Sequence, residues 1–479
     1  LNPDFSRPQD RTRDNHVKRG FFASPVLADL SSHPGLEIVA ASMDQHVYAF
    51  DGAGATVPGW PAYLRDPSIA GAEIIATPAV GDINGDGRPE IVVPTQEFDP
   101  NASPPEGDLV SLLRGGVTNV LANAIGGSGR TYALDAGGHI LPGWPVKPNG
   151  AVPDALPLVG PGVDHALADT DGDGKLDVIG GVASGDLQAR GADGKVKTTY
   201  DPSPATGEQV DRSKVLNLFE DPIAAKVDPA PGLNVFKGGL TLNGLVNLGI
   251  AVGQNLPYDH VMQGWDGRTG TELPAFPQAM EDYQLLSSPA VAGVGAGGSR
   301  DVIAGTGLYL LRAFDGLGRE APGFPKFTGG WLYAVPATGD VDGDGKLDVA
   351  AVTREGRAFV WSTGQPACGA NGEWWTSRHD ERSTGAYGTD TRPPGTARDR
   401  TAAFTGGRLR LTWTPPGDDW LCGTPARYEI ATATGAVVAS GTSGGTASLP
   451  ANLKDQRFTI RYVDEAGNWG LPAAFPAAR

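Results

Sequence analysis

Three nine-residue acidic loops repeat one pattern along this chain. They read DINGDGRPE at residues 82–90, DTDGDGKLD at 169–177 and DVDGDGKLD at 340–348. Each loop places oxygen-bearing side chains at positions 1, 3, 5 and 9 and glycine at position 6. This spacing surrounds a hard cation such as Ca²⁺ with oxygens, and the glycine permits the sharp turn. The three recurrences favour a cation site over the alternative, an Asn/Asp/Gly turn without a metal.

The predicted calcium ligands occupy the same positions in each loop. Side-chain oxygens come from positions 1, 3, 5 and 9, and the residue at position 7 (Arg88, Lys175 or Lys346) binds through its backbone carbonyl. Without a cation the clustered carboxylates would repel one another, so we expect about three Ca²⁺ sites. The predicted ligands are Asp82, Asn84, Asp86, Arg88 and Glu90; Asp169, Asp171, Asp173, Lys175 and Asp177; and Asp340, Asp342, Asp344, Lys346 and Asp348.

Short apolar runs flank the loops and recur through the chain. A run such as residues 79–80 precedes a loop and residues 90–93 follow it, which favours strand–loop–strand over the helix–loop–helix of an EF-hand. Further segments lead to an Asp-Gly turn, as at 47–52, and to a Pro-x-aromatic-Pro motif, as at 58–61, whose aromatic is expected to pack between neighbouring units. Four short strands per unit are typical of β-propeller blades, and we count six units.

Three units have lost the full ligand pattern. Residues 29–37 keep oxygens at positions 1, 3 and 9 but place His33 at position 5, which makes this loop a weaker calcium candidate. Residues 226–234 and 293–301 lack the ligands and are expected to be plain turns. In the first of these two, Lys226 at position 1 is expected to supply a positive charge in place of a cation.

These loops and units resemble the FG-GAP (VCBS-type) calcium-binding propeller repeats, which also occur in integrin α subunits. The resemblance covers residues 20–390 and implies a six- or seven-bladed propeller with calcium in the loops between first and second strands. It also implies ligand binding on the opposite face. We count six blades, and a seventh within residues 197–260 is the alternative. Either the first 20 residues or residues 373–385 are expected to close the ring by completing a blade.

The composition shifts at residues 390–395, a proline-rich linker. Beyond it, segments such as 409–413 and 457–462 alternate apolar and polar residues with period two, and Trp413 and Tyr428 are expected to anchor a core. This part resembles a fibronectin type III sandwich. The expected fold is therefore all-β: a β-propeller of six or seven blades at residues 1–389, a linker, and a β-sandwich at residues 396–479.

Charge and cysteine usage limit the environment and the partners. The net charge of −17 argues against nucleic acid, and the sequence has no apolar stretch of about 18 residues, so membrane insertion is not expected. Calcium loops of modest affinity suit a calcium-rich exterior, where Cys368 and Cys422 would form a disulfide that fixes the two domains; two buried thiols are the alternative. We expect a secreted, extracellular or cell-surface protein, and the start at Leu1 is compatible with removal of a leader or pro-segment.

Function is less constrained than fold. The sequence favours a calcium-stabilised binding or adhesion module without catalysis, with an extracellular protein or glycan bound opposite the calcium loops and with self-assembly as a further option. Alternatives are a polysaccharide-active enzyme, since rhamnogalacturonan lyases are similar in using calcium-loop propellers, and a non-catalytic C-terminal part of a larger processed hydrolase. His379 is expected to make structural hydrogen bonds. The long loops at 97–129, 147–164, 198–221 and 278–287 and the aromatics Tyr63, Tyr200, Tyr283 and Trp331 are the binding candidates.

Overall fold

The structure is a computed structural model of the chain, and it describes most of its length. The described residues are 20–31, 35–64, 71–98, 127–147, 164–181, 187–200, 215–216, 220–241, 259–282, 287–295, 300–368, 374–388, 390–420, 422–442 and 444–478. Within them the protein is all-β, with one short 3₁₀ helix at Ala451–Leu453 and no helix long and apolar enough to span a bilayer.

The chain divides into two compact units. The first comprises Leu1–Ala337, Val349–Trp361 and Trp374–Tyr387, and the second comprises Thr338–Asp348, Ser362–Glu373 and Gly388–Arg479. The domain limits predicted from the sequence stay a prediction.

Six successive sheets precede residue 367 in the described ranges. The first three are β1 (Val26–Ala28), β2 (Glu37–Ala41), β3 (His46–Phe50) and β4 (Ala62–Tyr63); β5 (Gly71–Glu73), β6 (Ala79–Gly81), β7 (Glu90–Phe98) and β8 (Gly127–Leu134); and β9 (Ala166–Ala168), β10 (Asp177–Gly180), β11 (Leu187–Arg190) and β12 (Val196–Tyr200). The next three are β13 (Val215–Leu216), β14 (Ile223–Ala225), β15 (Asn234–Thr241), β16 (His260–Asp266) and β17 (Gln278–Met280); β18 (Ala290–Ala292), β19 (Asp301–Gly305), β20 (Leu310–Asp315) and β21 (Lys326–Phe327); and β22 (Ala337–Gly339), β23 (Lys346–Val352) and β24 (Ala358–Pro366).

These sheets are arranged as a β-propeller. Short inner strands rich in alanine, valine and glycine lie side by side, with β1 next to β6, β6 next to β9 and β9 next to β14. Close approach explains the small residues: a Cβ added at Gly81 would lie 2.5 Å from Leu176 Cδ1. Alternate residues of the first sheet, such as Val39 and Val47, share a core with Ile91 of the second sheet. The choice between six and seven blades stays a prediction, because much of residues 197–260 lies outside the described ranges.

The Pro-x-aromatic-Pro motifs pack between neighbouring sheets, as predicted. Trp60 is buried and donates its indole N–H to Ala136 O of the next sheet at 3.2 Å, and Trp144 donates in the same way to Ala192 O at 2.8 Å. Close packing also requires glycine here, because a Cβ on Gly59 would lie 2.3 Å from the carbonyl oxygen of Gly137. These aromatics are therefore structural.

Residues 374–387 cross the inner strands of the propeller. Their backbone carbonyls accept N–H groups from four first strands: Leu27 to Glu381 (2.9 Å), Val80 to Arg382 (2.9 Å), Leu167 to Thr384 (2.8 Å) and Ala224 to Gly385 (2.9 Å). Ser288 Oγ also donates to Ser377 O at 3.3 Å. The expectation that residues 373–385 complete a blade is therefore wrong, because the described part of this segment bonds to several sheets in turn. The alternative, the first 20 residues, lies almost wholly outside the described residues.

Buried charges surround this central segment. Arg378 donates from its two terminal nitrogens to Pro222 O at 3.0 Å and His165 O at 3.1 Å. Side-chain oxygens also link the starts of neighbouring sheets, because Thr77 N–H donates to Asp164 at 2.6 Å and Asp164 N–H donates to Asp221 at 2.7 Å. Burial, and then the neighbouring Asp221 carboxylate, raise the pKa of Asp164 to about 7, and the Arg378 charge opposes this shift.

The second unit contains two further sheets around one core. The strands are β25 (Arg398–Thr405), β26 (Arg408–Thr414) and β29 (Thr446–Pro450) in one sheet, and β27 (Arg427–Thr432), β28 (Val437–Gly441), β30 (Phe458–Val463) and β31 (Ala473–Ala474) in the other. Trp413 packs edge-to-face against Tyr428 with ring centroids 5.2 Å apart, which confirms both as core anchors. The fibronectin type III resemblance stays a prediction.

The predicted disulfide is present. Cys368 and Cys422 are bonded with their Cα atoms 5.1 Å apart, and both belong to the second unit. The two cysteines are 54 residues apart in sequence, and for a loop of this length the chain-entropy model gives about 4 kcal/mol of stabilisation.

We expect Arg378→Met to destabilise the first unit by about 3 kcal/mol, because two buried carbonyls lose a donor and the half-buried Asp164–Asp221 pair loses a neighbouring positive charge. The measurement is urea unfolding in excess calcium. Arg319→Met is the control, since Arg319 is exposed and pairs with Asp315 in its own turn. Equal midpoints for the two variants would contradict the role given to Arg378.

Candidate metal centres

The three acidic loops each connect a short inner strand of a sheet to the strand that follows it in sequence. Residues 82–90 connect β6 to β7, residues 169–177 connect β9 to β10, and residues 340–348 connect β22 to β23. The first two lie beside one another and beside residues 29–37, because Arg88 donates to Leu30 O at 3.3 Å and Leu176 N–H donates to Asp82 O at 3.5 Å. The loop at 340–348 belongs to the second unit.

Position 1 fixes the turn in every acidic loop. Asp82 accepts the backbone N–H groups of Gly85 and Gly87 at 2.6 and 2.8 Å. The corresponding distances are 2.7 and 2.9 Å at Asp169, and 2.8 and 2.9 Å at Asp340. The glycines at positions 4 and 6 all have φ between 80° and 84°, a region that side chains disfavour. Glycine is therefore required at position 4 as well as at the predicted position 6.

Positions 3 and 5 each use one oxygen for the backbone of the loop. The side chain at position 3 accepts the N–H of position 5 at 2.8 Å (Asn84), 3.1 Å (Asp171) and 3.1 Å (Asp342). The carboxylate at position 5 accepts the N–H of position 7 at 2.7–2.9 Å in all three loops. The second oxygen of each of these carboxylates takes no backbone N–H of the loop, so it can face another partner: an amide at Asp86, a lysine at Asp171 and Asp173, or a cation.

Position 9 has a second, purely structural role. In all six loops its side-chain oxygen accepts the backbone N–H of position 2, so the contact joins the start of the loop to its end. The pairs are Glu37–Leu30 (2.7 Å), Glu90–Ile83 (2.9 Å), Asp177–Thr170 (3.2 Å), Asn234–Val227 (3.1 Å), Asp301–Val294 (3.0 Å) and Asp348–Val341 (3.0 Å). This contact explains why an Asp, Glu or Asn stands at position 9 even in the loops that have lost the other ligands.

The loop at 340–348 fits a divalent cation best. Carboxylate oxygens of Asp340, Asp342 and Asp348 lie within 4.8 Å of one another. Among the described residues, none of these carboxylates forms a salt bridge with a basic side chain. Three converging carboxylates repel one another, a bound cation would offset that repulsion, and hard oxygen ligands suit Ca²⁺. When bound, the ion would supply two positive charges that hold the loop closed.

The loop at 82–90 is bridged by an amide. Asn84 Nδ2 donates to Asp86 Oδ2 at 3.2 Å and to Glu90 Oε1 at 2.8 Å, so one amide links the two carboxylates. Burial raises the pKa of Glu90 to about 7, with Asp86 and Asp82 adding to the shift. A cation in this loop would replace the amide contacts and lower that pKa.

The loop at 169–177 already contains a positive charge. Lys197 Nζ lies 2.9 Å from Asp171 Oδ2, 2.8 Å from Asp173 Oδ2 and 2.8 Å from Asp177 Oδ1. Burial lowers the pKa of Lys197, but the hydrogen bonds to the three carboxylates outweigh it and raise that pKa above its ordinary value. The sequence alone gives no signal for this contact, because Lys197 lies on β12, two strands further along the chain than the loop, at the outer side of the same sheet.

The remaining loops behave largely as predicted where they are described. Lys226 Nζ lies 3.2 Å from Asp228 Oδ1, so this lysine does supply a charge within the loop at 226–234. His33 and residues 296–299 lie outside the described residues. No described contact identifies a cation site in either of the corresponding loops.

The aromatic residues predicted to bind a ligand differ in their exposure to solvent. Tyr63 is exposed at 45%, and its ring stacks on His46 with centroids 4.7 Å apart. The prediction for Tyr200 is wrong: it is fully buried, and its hydroxyl donates to Gly267 O at 2.7 Å, because its alternate position on β12 faces the neighbouring sheet. Trp331 is partly buried under the guanidinium of Arg354. Tyr283 and most of the four long loops lie outside the described residues.

His379 is part of the central segment. It is buried, and its Nδ1 lies 2.9 Å from Asp380 Oδ2, which also accepts the Thr384 hydroxyl at 2.6 Å. These contacts agree with a structural role for this histidine.

Comparison with known proteins gives only distant likenesses. No family model matches the chain, and no curated protein matches it. Among solved structures, the V. cholerae biofilm matrix protein Bap1 is similar at TM-score 0.34 and 14% identity, over 73% of this chain and 78% of that one. BamB from Moraxella catarrhalis gives 0.33 and 13%, over 71% and 85%. A quinohemoprotein alcohol dehydrogenase from Comamonas testosteroni gives 0.35 and 14%, over 69% and 66%. Likenesses this distant carry no argument about activity.

We expect calcium removal to lower the melting temperature. Each site that binds the folded protein adds about 2.7 kcal/mol when free calcium is 100 times its Kd. The measurement is thermal unfolding in a calcium-selective chelator, followed by re-addition of calcium or of magnesium. Calcium should restore the midpoint more effectively than magnesium, which demands a stricter octahedral geometry. An unchanged midpoint in chelator would contradict calcium binding.

The double variant Asp342→Asn/Asp344→Asn separates the metal role from the structural role. Both amides keep an oxygen for the backbone N–H groups that the carboxylates accept, but two negative charges are lost. We expect calcium affinity at this loop to fall more than tenfold. Stability in chelator should stay the same or rise slightly, because the repulsion is reduced. Asp455→Asn, at an exposed site, is the control. Loss of stability in chelator would show a purely structural role.

Proposed function

We propose that this protein is an extracellular, calcium-stabilised binding module without catalytic activity. Its ligand binds on the face opposite the acidic loops, and a neutral glycan is the class of ligand that its exposed side chains suit best. The observation that carries this proposal is the placement of the exposed aromatic residues of the first unit.

All large exposed aromatics among the described residues of the first unit lie on one edge. In an antiparallel meander, the loops between strands one and two share an edge with the turns between strands three and four. The turns between strands two and three, and the segments that enter strand one, lie on the opposite edge. The exposed aromatics are Phe21, Phe22, Tyr63, Tyr309, Phe327 and Tyr333, with exposed fractions of 41–76%. Each lies at the edge away from the acidic loops.

Two of these aromatics occupy equivalent places on different sheets. Tyr63 pairs with His46 at the start of β3, and Phe327 pairs with Leu310 at the start of β20. The residue before each of these strands, Gln45 or Tyr309, has positive φ, at 72° and 71°. Positive φ is uncommon outside glycine and is retained where the surrounding structure imposes it. The repeated geometry places an aromatic residue at the equivalent strand position in both sheets.

Polar groups accompany the aromatics of the first sheet. Tyr63 donates its hydroxyl to Gln45 Oε1 at 3.3 Å, and Tyr48 donates to Asp44 Oδ2 at 2.8 Å. An aromatic face beside amide and carboxylate groups can cover the apolar face of a sugar ring and bind its hydroxyls. The net charge of −17 disfavours acidic polymers, which favours a neutral glycan.

Calcium and the disulfide support an extracellular location. A Cys368–Cys422 bond persists in oxidising surroundings, and oxygen-ligand loops of this kind are filled where calcium is plentiful. The alternative, a polysaccharide-active enzyme such as a lyase, requires a base beside the bound sugar and is decided by the same experiment.

The test is a glycan-array and polysaccharide-cleavage screen with and without calcium. We expect saturable binding without new chain ends, and at least tenfold weaker binding by Tyr63→Ala and Phe327→Ala, because each loses a stacking surface. Phe404→Ala is the matched control, since Phe404 is an exposed aromatic of the second unit.

Equal losses in all three variants, or binding untouched by any, would contradict the assigned face. Unsaturated sugar products that absorb in the ultraviolet would instead show a lyase. No binding to any glycan would shift the proposal to a protein partner.

A further inference from the structure

We propose that Lys197 is a built-in cation for the loop at 169–177, so that calcium must displace its ammonium group to bind there. The inference rests on the proposed calcium binding for the nature of the competitor. It divides the three acidic loops into two classes: those whose charge is balanced only by calcium, and one that the chain itself can balance.

The geometry of Lys197 matches that of a central ion. Its ammonium contacts the carboxylates at positions 3, 5 and 9 of one loop at 2.8–2.9 Å, and its three N–H donors can serve one oxygen each. These are the oxygens that the backbone of the loop leaves available, because the other oxygens of Asp171 and Asp173 accept N–H groups. Lys197 therefore occupies the place where a cation would be bound.

The surrounding chain directs the lysine into this position. Lys197 lies on β12, the outer strand of the same sheet, and its side chain passes over Gly191, where a Cβ would lie 3.2 Å from Lys197 Cε. Its side chain is 29% exposed, so the ammonium has a route to solvent. The arrangement is thus specific but reversible.

Ammonium and calcium satisfy the loop differently. Lysine offers one positive charge at N–O distances of 2.8–2.9 Å. Calcium offers two charges, binds oxygens at about 2.3–2.6 Å and takes about six to eight of them. Calcium in this loop would therefore draw the carboxylates inward and would have to break the contacts of Lys197. The free energy of breaking them lowers the apparent calcium affinity of this loop relative to a loop without a lysine.

The other loops form a series around this one. In the loop at 226–234 the lysine belongs to the loop itself, where Lys226 pairs with Asp228 and the acidic ligands are reduced. In the loop at 340–348 three carboxylates converge, and no described basic side chain pairs with them. The loop at 169–177 has the full acidic ligand set, like the loop at 340–348, and a lysine partner, like the loop at 226–234. Its fold should consequently survive low calcium.

The test compares Lys197→Met with Lys195→Met in the full chain. Lys195 lies two residues away, but it is exposed and pairs with Asp193 in its own turn. The readouts are calcium titration by calorimetry and unfolding in chelator. We expect Lys197→Met to bind calcium at the loop at least tenfold more tightly than the parent chain. We also expect it to lose stability in chelator and to regain that stability in calcium, whereas Lys195→Met should match the parent protein in both.

Unchanged calcium binding together with unchanged stability in chelator would overturn the inference. If no variant binds calcium, the proposed metal function fails, and the chelator arm still decides on Lys197: a loss confined to Lys197→Met keeps it as the internal cation. Lys197→Arg retains the charge, so it should stay stable in chelator even if Lys197→Met folds only with calcium. An arginine variant as unstable as the methionine variant would contradict a role based on charge.

Discussion

The structure of the first unit depends on the hydrogen bonds of its innermost strands. In a propeller, the inner edge of each first strand faces the axis, where no further strand of its own sheet can pair with it. Residues 374–387 supply carbonyls to the N–H groups of Leu27, Val80, Leu167 and Ala224. An unpaired N–H group buried there would cost about 1–3 kcal/mol, so one segment relieves a penalty shared by four sheets. The small side chains of these strands leave the room that this segment occupies.

The acidic loops also supply acceptors for backbone N–H groups, here on one edge of the sheets. Tight turns leave backbone N–H groups without strand partners, and the side chains at positions 1, 3, 5 and 9 accept them. The same side chains carry the negative charges that favour the proposed cation binding. At positions 3 and 5 one carboxylate oxygen accepts a backbone N–H while the other faces the loop, whereas both oxygens at position 1 accept backbone N–H groups. A loop can lose its cation ligands and keep its turn, as at residues 226–234, where Asn234 still accepts the N–H of Val227.

Local patterns made much of this predictable from the sequence. Loop spacing, the alternation of short strands and turns, the interblade aromatics and the Cys368–Cys422 bond all follow from neighbours in sequence or from counting two cysteines. Position 9 could have been understood further, since its retention in degenerate loops signals a role apart from metal binding. Contacts between distant segments could not be read in this way. Lys197 reaches Asp171 across its sheet, and Tyr200 is buried because the alternation of β12 turns it towards the neighbouring sheet.

The two edges of the first unit differ in composition: one carries the acidic loops and the other the exposed aromatic residues. On the acidic edge, loop geometry is fixed by many short contacts between side chains and backbone N–H groups, and in one loop also by the ammonium of Lys197. On the other edge, Tyr63 and Phe327 stand at strand ends, where a ring can be exposed without disturbing the alternation that fills the core. Each strand spans the distance between the edges, so rigid loops on one side hold the strand ends on the other. The proposed binding face and the acidic loops are therefore connected through the strands of the sheets.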